Sequence, residues 1–274
     1  MKWIGQIVQF IRRVMRKVSR DRVRAHSAEA AFFIIMSFFP VLMLLLTMIQ
    51  FTPLNADQVL YAIEGLTPIE LTGILKPVVD SLFNKSSALV STTAIVALWA
   101  GGKGIMGLSD GLNSIYQISE TRNYFVTRFR SACYTVVMIL ALILSLGVLV
   151  FGYSIQAWLR DRFPLMEKYS GTMLILPFAI AMGALILLFL VLYTFLPNRR
   201  MKMRQQVPGA IFSAVAWSVF SYAFSIYLDF AVNMSVLYGS LTTLIVIMLW
   251  LYCCMYLLFL GAELNHFLAH PELF

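Results

Sequence analysis

One stretch, Tyr238–Phe267, limits what this chain can fold into more than any other. It reads YGSLTTLIVIMLWLYCCMYLLFLGAELNHF, and no charged side chain occurs between Asp229 and Glu263. At about 1.5 Å rise per residue, roughly 20 apolar residues in a helix cross a hydrocarbon core of about 30 Å. Gly239–Ala262 is long enough to do this with some tilt. A helix apolar on every face has no place on the surface of a soluble domain, so the segment is expected to span a membrane. Charge returns at Glu263, directly after Gly261-Ala262.

The rest of the chain follows the same rule. It is 60% hydrophobic and 12% charged, against about 25% charged in ordinary globular proteins. Apolar runs at about 28–51, 88–108, 131–154, 172–196, 208–230 and 239–262 predict an all-α polytopic membrane domain, 28–268, with six transmembrane helices. Residues 1–27 predict a basic amphipathic helix at the membrane interface. There Trp3, Ile4, Ile7, Val8, Ile11, Val14, Met15 and Val18 form one stripe, while Arg12, Arg13, Arg16, Lys17 and Arg20 fall largely opposite. The connection between the first two runs holds two capping boxes, Asn55–Gln58 and Thr67–Glu70. It is expected to form short amphipathic helices over 55–84 on the outer surface. Residues 269–274 form a short tail.

Orientation follows from counting Lys and Arg. The N-terminus and the loops after the second and fourth runs hold eight, three and four; the other connections hold two, three and none. The positive-inside rule then places both termini in the cytoplasm. The first strongly apolar run begins too late for a cleavable signal, so it is expected to stay as an anchor. The net charge of +8 comes from residues clustered between apolar runs. The expected partner is therefore anionic lipid rather than nucleic acid. Cys133, Cys253 and Cys254 all lie in apolar runs, with no disulfide framework and no metal spacing.

Within the runs, Pro40 after Ser37 predicts a bend whose freed carbonyl Ser37 helps to satisfy. Gly101-Gly-Lys-Gly104 interrupts the second run, yet the helix is expected to continue through Leu108 with Lys103 reaching for water. The Walker pattern is absent, so this chain alone does not drive transport with ATP. Asp110, Asn113 and Tyr116 share a helix face. Ala210, Ala214 and Ser218 form a small-residue ridge suited to close helix approach.

These residues resemble the YihY/BrkB family of bacterial inner-membrane proteins. The resemblance rests on Ala30-Ala-Phe-Phe with Ser37-Phe-Phe-Pro40, and on Tyr193 with Pro197. It rests further on Pro208-Gly209, Tyr238-Gly239-Ser-Leu241, Trp250-Leu-Tyr252 and Gly261-Ala-Glu263. It covers nearly the whole chain. It implies a six-span protein of the bacterial cytoplasmic membrane, and relatives associated with export of lipopolysaccharide precursors or phospholipids. Members have also carried a ribonuclease BN label. The residues argue against that activity: the three histidines lie near membrane ends, and there is no HxHxD cluster. The glycine-rich cluster at 101–104 departs from the family pattern and leaves the limits of the second span open.

Ionisable groups at the edge of a span are costly unless they face water or the bundle. Glu29, Lys103, Asp110 and Glu263, with Asn113 beside them, are expected to converge on a cavity open to the inner leaflet. Arg199, Arg200 and Arg204 would attract an anionic headgroup. In the competing reading, Glu29 and Glu263 pair with neighbouring cations and fix packing. Glu263/His266 and His26/Glu29 have the Glu-x-x-His spacing of di-iron bundles, one pair in reverse, but a complete site needs further carboxylates at matching depth, for which Asp110 alone is a candidate. The functional expectation is a non-enzymatic protein, without metal or cofactor, that transports or flips lipids or lipid-linked envelope precursors. The alternative is a membrane scaffold that docks partners on its basic segments. Self-association stays open.

Overall fold

A computed structural model describes residues 12–13, 15–48, 87–140, 172–231 and 235–273. The capping boxes and the amphipathic segment 55–84 lie outside the described residues, as does most of the N-terminal stripe. All regular structure among the described residues is helical. A short helix, α1 (15–20), leads through a turn at Asp21-Arg22 into α2 (Val23–Met48). Then come α3 (Ser87–Ile115), α4 (124–140), α5 (Thr172–Phe195), α6 (Met203–Ala231) and α7 (Ser235–Ala269), with a 3₁₀ turn at Pro271–Leu273.

Hydrogen bonds fix how the helices alternate. Lys17 reaches the C-terminal carbonyl of α3 at Ile115 and the Glu263 carboxylate of α7. Asn198, just past α5, bonds Asn113 near the end of α3 and Ser119 in the loop after it. The starts of α2 and α6 and the ends of α3, α5 and α7 therefore share one end of the bundle. That end carries the basic stretches 12–24, 122–130 and 199–204, and is called the basic end below. α2 packs along α3 and also against α7, α6 packs between α5 and α7, and α3 touches α7 more lightly.

The buried core is mostly apolar, with Val23, Ala30, Phe189 and Phe259 among its members, but it also holds charged and amide groups, and the outside is strongly apolar. Buried positions include Lys17, Asp21, Ser109, Asn113, Gln206, Glu263 and Asn265. Exposed positions include Ile95, Trp99, Val137, Ile180, Leu187, Val219, Tyr222 and Ile245. Water does not tolerate such a surface, whereas lipid selects it. Met203–Leu228 and Leu244–Ala269 are long and apolar enough to cross a membrane, and Ala179–Phe195 is a shorter apolar helix.

Three local features differ from the sequence expectation or explain it. The helix α3 runs unbroken through Gly101–Gly104, and its glycines make room for neighbours. A Cβ on Gly104 would meet Ile34 at 3.4 Å and one on Gly107 would meet Ala30 at 3.5 Å, so α2 lies directly on this face. Ser37 donates to the Ile34 carbonyl at 2.8 Å, not to the Met36 carbonyl that Pro40 leaves without its helical donor. The helix α6 starts at Met203, so Pro208 lies inside it rather than at its first position.

Two members of the expected small-residue ridge lie in the core, while Ser218 is half-buried. Ala210 and Ala214 are fully buried. At the crossing of α6 and α7, a Cβ on Gly209 would collide with the Gly261 carbonyl, and one on Gly261 with the Ser213 hydroxyl. Tyr193 of α5 reaches the same crossing. It donates to the Leu258 carbonyl at 2.6 Å and shares a 2.7 Å hydrogen bond with Ser213.

Candidate functional site

The basic end holds a buried charge centre. Lys17 projects from α1 into the bundle, donating to Asp21 one turn later and to Glu263 Oε2 at 3.3 Å. All three side chains are almost sealed from solvent, with residue exposures of 4%, 5% and 4%. Exposed Arg20 lies 3.7 Å from the outer oxygen of Asp21. Glu263 Oε1 is buried with no hydrogen-bond partner. Two buried carboxylates thus share one buried ammonium. The sequence pattern had put Lys17 on the headgroup-facing side; the structure turns it inward, because the same face of α1 meets α3 and α7.

Around this centre runs a network of neutral polar groups. Tyr116, just after α3, donates to the Gln206 side chain at 2.7 Å. Asn265 donates to the Gln206 carbonyl at 3.2 Å and accepts from the Gly209 amide at 2.6 Å. Asn265 thereby bonds two backbone groups in the first turns of α6, where Pro208 interrupts the ladder. Burial pushes the Tyr116 hydroxyl well above the usual phenol range, so it stays a neutral donor.

The end of α3 is shaped to reach this network. Gln117 has a left-handed φ of 55°, and among the described non-glycine residues Arg22, at 51°, is the other with a positive φ. The amides of Gln117 and Ile118 return to the carbonyls of Ser114 and Asn113 at 3.2 and 2.8 Å. This is a Schellman cap with glutamine where glycine is usual. It leaves the Asn113 side chain to accept from the Asn198 amide at 2.8 Å, tying α3 to the end of α5.

A second feature lies beside α5. Arg130 of α4 caps the end of that helix, donating to the carbonyls of Phe195 and Pro197 and to the Tyr134 hydroxyl. Below it runs a cleft of about 310 Å³ between α4 and α5, floored by Ile105 of α3. Its lining is apolar except for the Tyr134 hydroxyl.

The expected site residues separate into three groups. Glu263 and Asn113 belong to the buried networks just described. Glu29 and Asp110 lie near each other, and burial followed by the Glu29 charge raises the Asp110 pKa above the usual carboxylate value. Lys103, Arg199, Arg200 and Arg204 are exposed, with Lys103 held 5.4 Å from the Phe33 ring. Of the motif residues, Ser37, Tyr193, Pro197, Gly209 and Gly261 are buried, while Pro40 is half-buried and Pro208 exposed. Tyr238 and Gly239 fall in α7 where only the backbone is described. Sequence reasoning did not single out Asp21, Arg130, Gln206 or Asn265 as site residues. The spacing of four between Lys17 and Asp21, and between Arg130 and Tyr134, was the available signal. Among the described residues, no three His, Cys, Asp or Glu side chains gather where they could hold a metal ion.

An all-helical bundle whose long helices turn apolar side chains outward is that of a membrane protein. The chain belongs to the BrkB family: the family described as "Virulence factor BrkB" matches residues 14–273. Among its relatives, a Bacillus subtilis protein named ribonuclease-like protein YfkH is 29% identical, the match covering 94% of each chain. A "UPF0761 membrane protein" of Vibrio vulnificus strain YJ016 is 23% identical over 97% of this chain and 84% of its own. Another of that name from Pseudoalteromonas atlantica is 22% identical over 96% and 87%. No solved structure matches the chain.

Proposed function

We propose that this protein spans a bacterial inner membrane six times, with both termini in the cytoplasm, and that it carries lipids or lipid-linked envelope precursors from one leaflet toward the other. The observation that carries the reading is the cluster of polar groups buried at the basic end. Charged and amide side chains are buried in the bundle, while exposed arginines surround the same end at 199, 200 and 204. Ionisable groups kept inside a membrane bundle commonly mark a path for a polar group. In this reading the arginines and Lys103 gather anionic headgroups at the inner surface, and Glu29, Asp110, Asn113 and Glu263 line the approach.

The test is reconstitution of the purified chain into liposomes carrying headgroup-labelled lipid. Protein-dependent loss of label to an external quencher supports the reading, as does weakened transfer in Lys103→Gln and Arg199→Gln variants that melt normally. Absence of transfer across a panel of anionic lipids and lipid-linked sugars refutes it. The exposed basic stretches also favour a second reading, a scaffold that docks partners on them. That reading expects no transfer and a partner retained through Arg199–Arg204.

A further inference from the structure

We propose that Glu263 is a proton-binding site, loaded and unloaded from water at the basic end through His270 and His266. The proposal stands on its own observations and goes beyond the lipid reading above, to which it adds an ion that transfer could be coupled to.

The first observation is the charge centre. Lys17 serves two carboxylates, Asp21 and Glu263. With both ionised, the three side chains carry one negative charge in excess. Exposed Arg20, beside the outer oxygen of Asp21, is screened by water and offsets little of it. Glu263 is buried, and its Oε1 has no hydrogen-bond partner. A buried carboxylate oxygen without a donor is costly. A proton on Oε1 cancels the excess charge and turns that oxygen into a donor. The neighbouring elements bring groups that are neutral or that titrate themselves. After α3 comes the Tyr116 hydroxyl, which donates to Gln206 at the start of α6. On α2, the His26 ring lies 6.5 Å from that of Phe259, one turn before Glu263, and 3.7 Å from the Glu29 carboxylate.

The second observation is a line of imidazoles leading outward. Glu263, His266 and His270 recur at steps of three and four residues, which stacks them on one face at the end of α7. His266 is buried, and its ring centroid is 5.4 Å from that of His270, a gap that one water closes. His270 is exposed, and its Nδ1 lies 3.1 Å from exposed Glu272. The series thus runs from water to the buried carboxyl. An imidazole accepts a proton on one ring nitrogen and gives one up from the other. Chains of carboxyl and imidazole groups are the proton relays of membrane proteins. One proton moves inward, both imidazoles are neutral after it passes, and only the charge of Glu263 changes. Tyr116, whose ring meets that of His266 edge-on at 6.0 Å, keeps its own proton on Gln206 and walls the path rather than joining it.

The test uses the full chain in detergent, with infrared spectra recorded through a pH titration. Above about pH 6 exposed carboxyls are ionised, so a carboxyl carbonyl band that persists there and then titrates reports a buried proton. The band should be absent in Glu263→Gln and present in Asp110→Asn, which removes the other half-buried carboxyl at this end. Glu263→Asp keeps a carboxyl at the site and should shift the band; it decides the matter if Glu263→Gln does not fold. After a rapid pH jump, His266→Phe should reach the same final band about tenfold more slowly. A histidine needed only for packing would leave that rate unchanged. His270→Ala, at an exposed position, should slow the step too and serves if His266→Phe does not fold. A parent without such a band, or a band unchanged in the Glu263 variants, overturns the site. An unchanged rate in the histidine variants overturns the path. The band is read without any lipid substrate, so its absence removes this proposal and leaves the proposed transfer standing; a titrating band in a chain that moves no lipid does the reverse.

Discussion

Replacing Lys17 with methionine tests the charge centre most directly. The substitution keeps length and apolar bulk and removes only the ammonium. Asp21 and Glu263 then remain buried together, with exposed Arg20 at 3.7 Å from Asp21 as the remaining ion-pair partner among the described residues. Removing one partner of a buried ion pair costs about 3–5 kcal/mol, because the other charge stays desolvated. With about 2–4 °C lost per kcal/mol in a chain of roughly this size, melting should fall on the order of 10 °C. Glu263→Gln is the informative contrast. It removes the carboxylate in excess and leaves Lys17 paired with Asp21, so its cost should stay near the ~1 kcal/mol of a lost hydrogen bond. Lys17→Met combined with Glu263→Gln should recover part of the loss of Lys17→Met alone, a coupling that a double-mutant cycle measures. Thermal melts in detergent, read by tryptophan fluorescence, give all three values. Equal losses for the two single variants, or no coupling between them, would refute the shared-cation account.

The crossing of α6 and α7 leaves no room for a Cβ, so Gly209→Ala and Gly261→Ala should each destabilise by about 1–3 kcal/mol through overpacking. Gly183→Ala, with nothing within 4 Å, should instead be neutral or stabilise by up to ~1 kcal/mol, and the same melts separate the cases. Gln117→Gly relieves a left-handed residue at the cap of α3 and should raise stability by about 1 kcal/mol; a lower melting temperature would contradict the Schellman assignment. The raised Asp110 pKa means the folded chain holds this proton more tightly than the unfolded one. Its contribution to stability therefore falls as pH rises from about 3.8 through the folded value, and Asp110→Asn should melt higher than the parent at pH 7 but not at pH 3. Identical differences at both pH values would sink that account.

The helices themselves were readable because lipid imposes one rule on long apolar runs. The interval Thr172–Phe195 is the clearest, bounded in the sequence by polar residues and by Pro197. The start of α6 was harder, since Met203-Arg-Gln-Gln206 reads as loop by polarity although each residue favours a helix. The buried network was harder still. Hydrophobic periodicity says which face of a helix is apolar, not which face meets a neighbour. It therefore placed Lys17 outside, where contact with α3 and α7 pulls it in. Gln206 and Asn265 carry no charge pattern to flag them. Arg130 was counted only as a topological charge, because its role depends on the end of α5, 65 residues away.

The tie between Lys17 and Glu263 joins groups 246 positions apart, one on α1 and one on α7. Until α7 is in place, the Lys17 ammonium lacks its contact with Glu263 and keeps those with Asp21 and the Ile115 carbonyl. Completion of the bundle is thus registered by a single electrostatic latch. A chain that ends before Glu263 would leave Lys17 without that contact, so the latch closes only once α7 has packed.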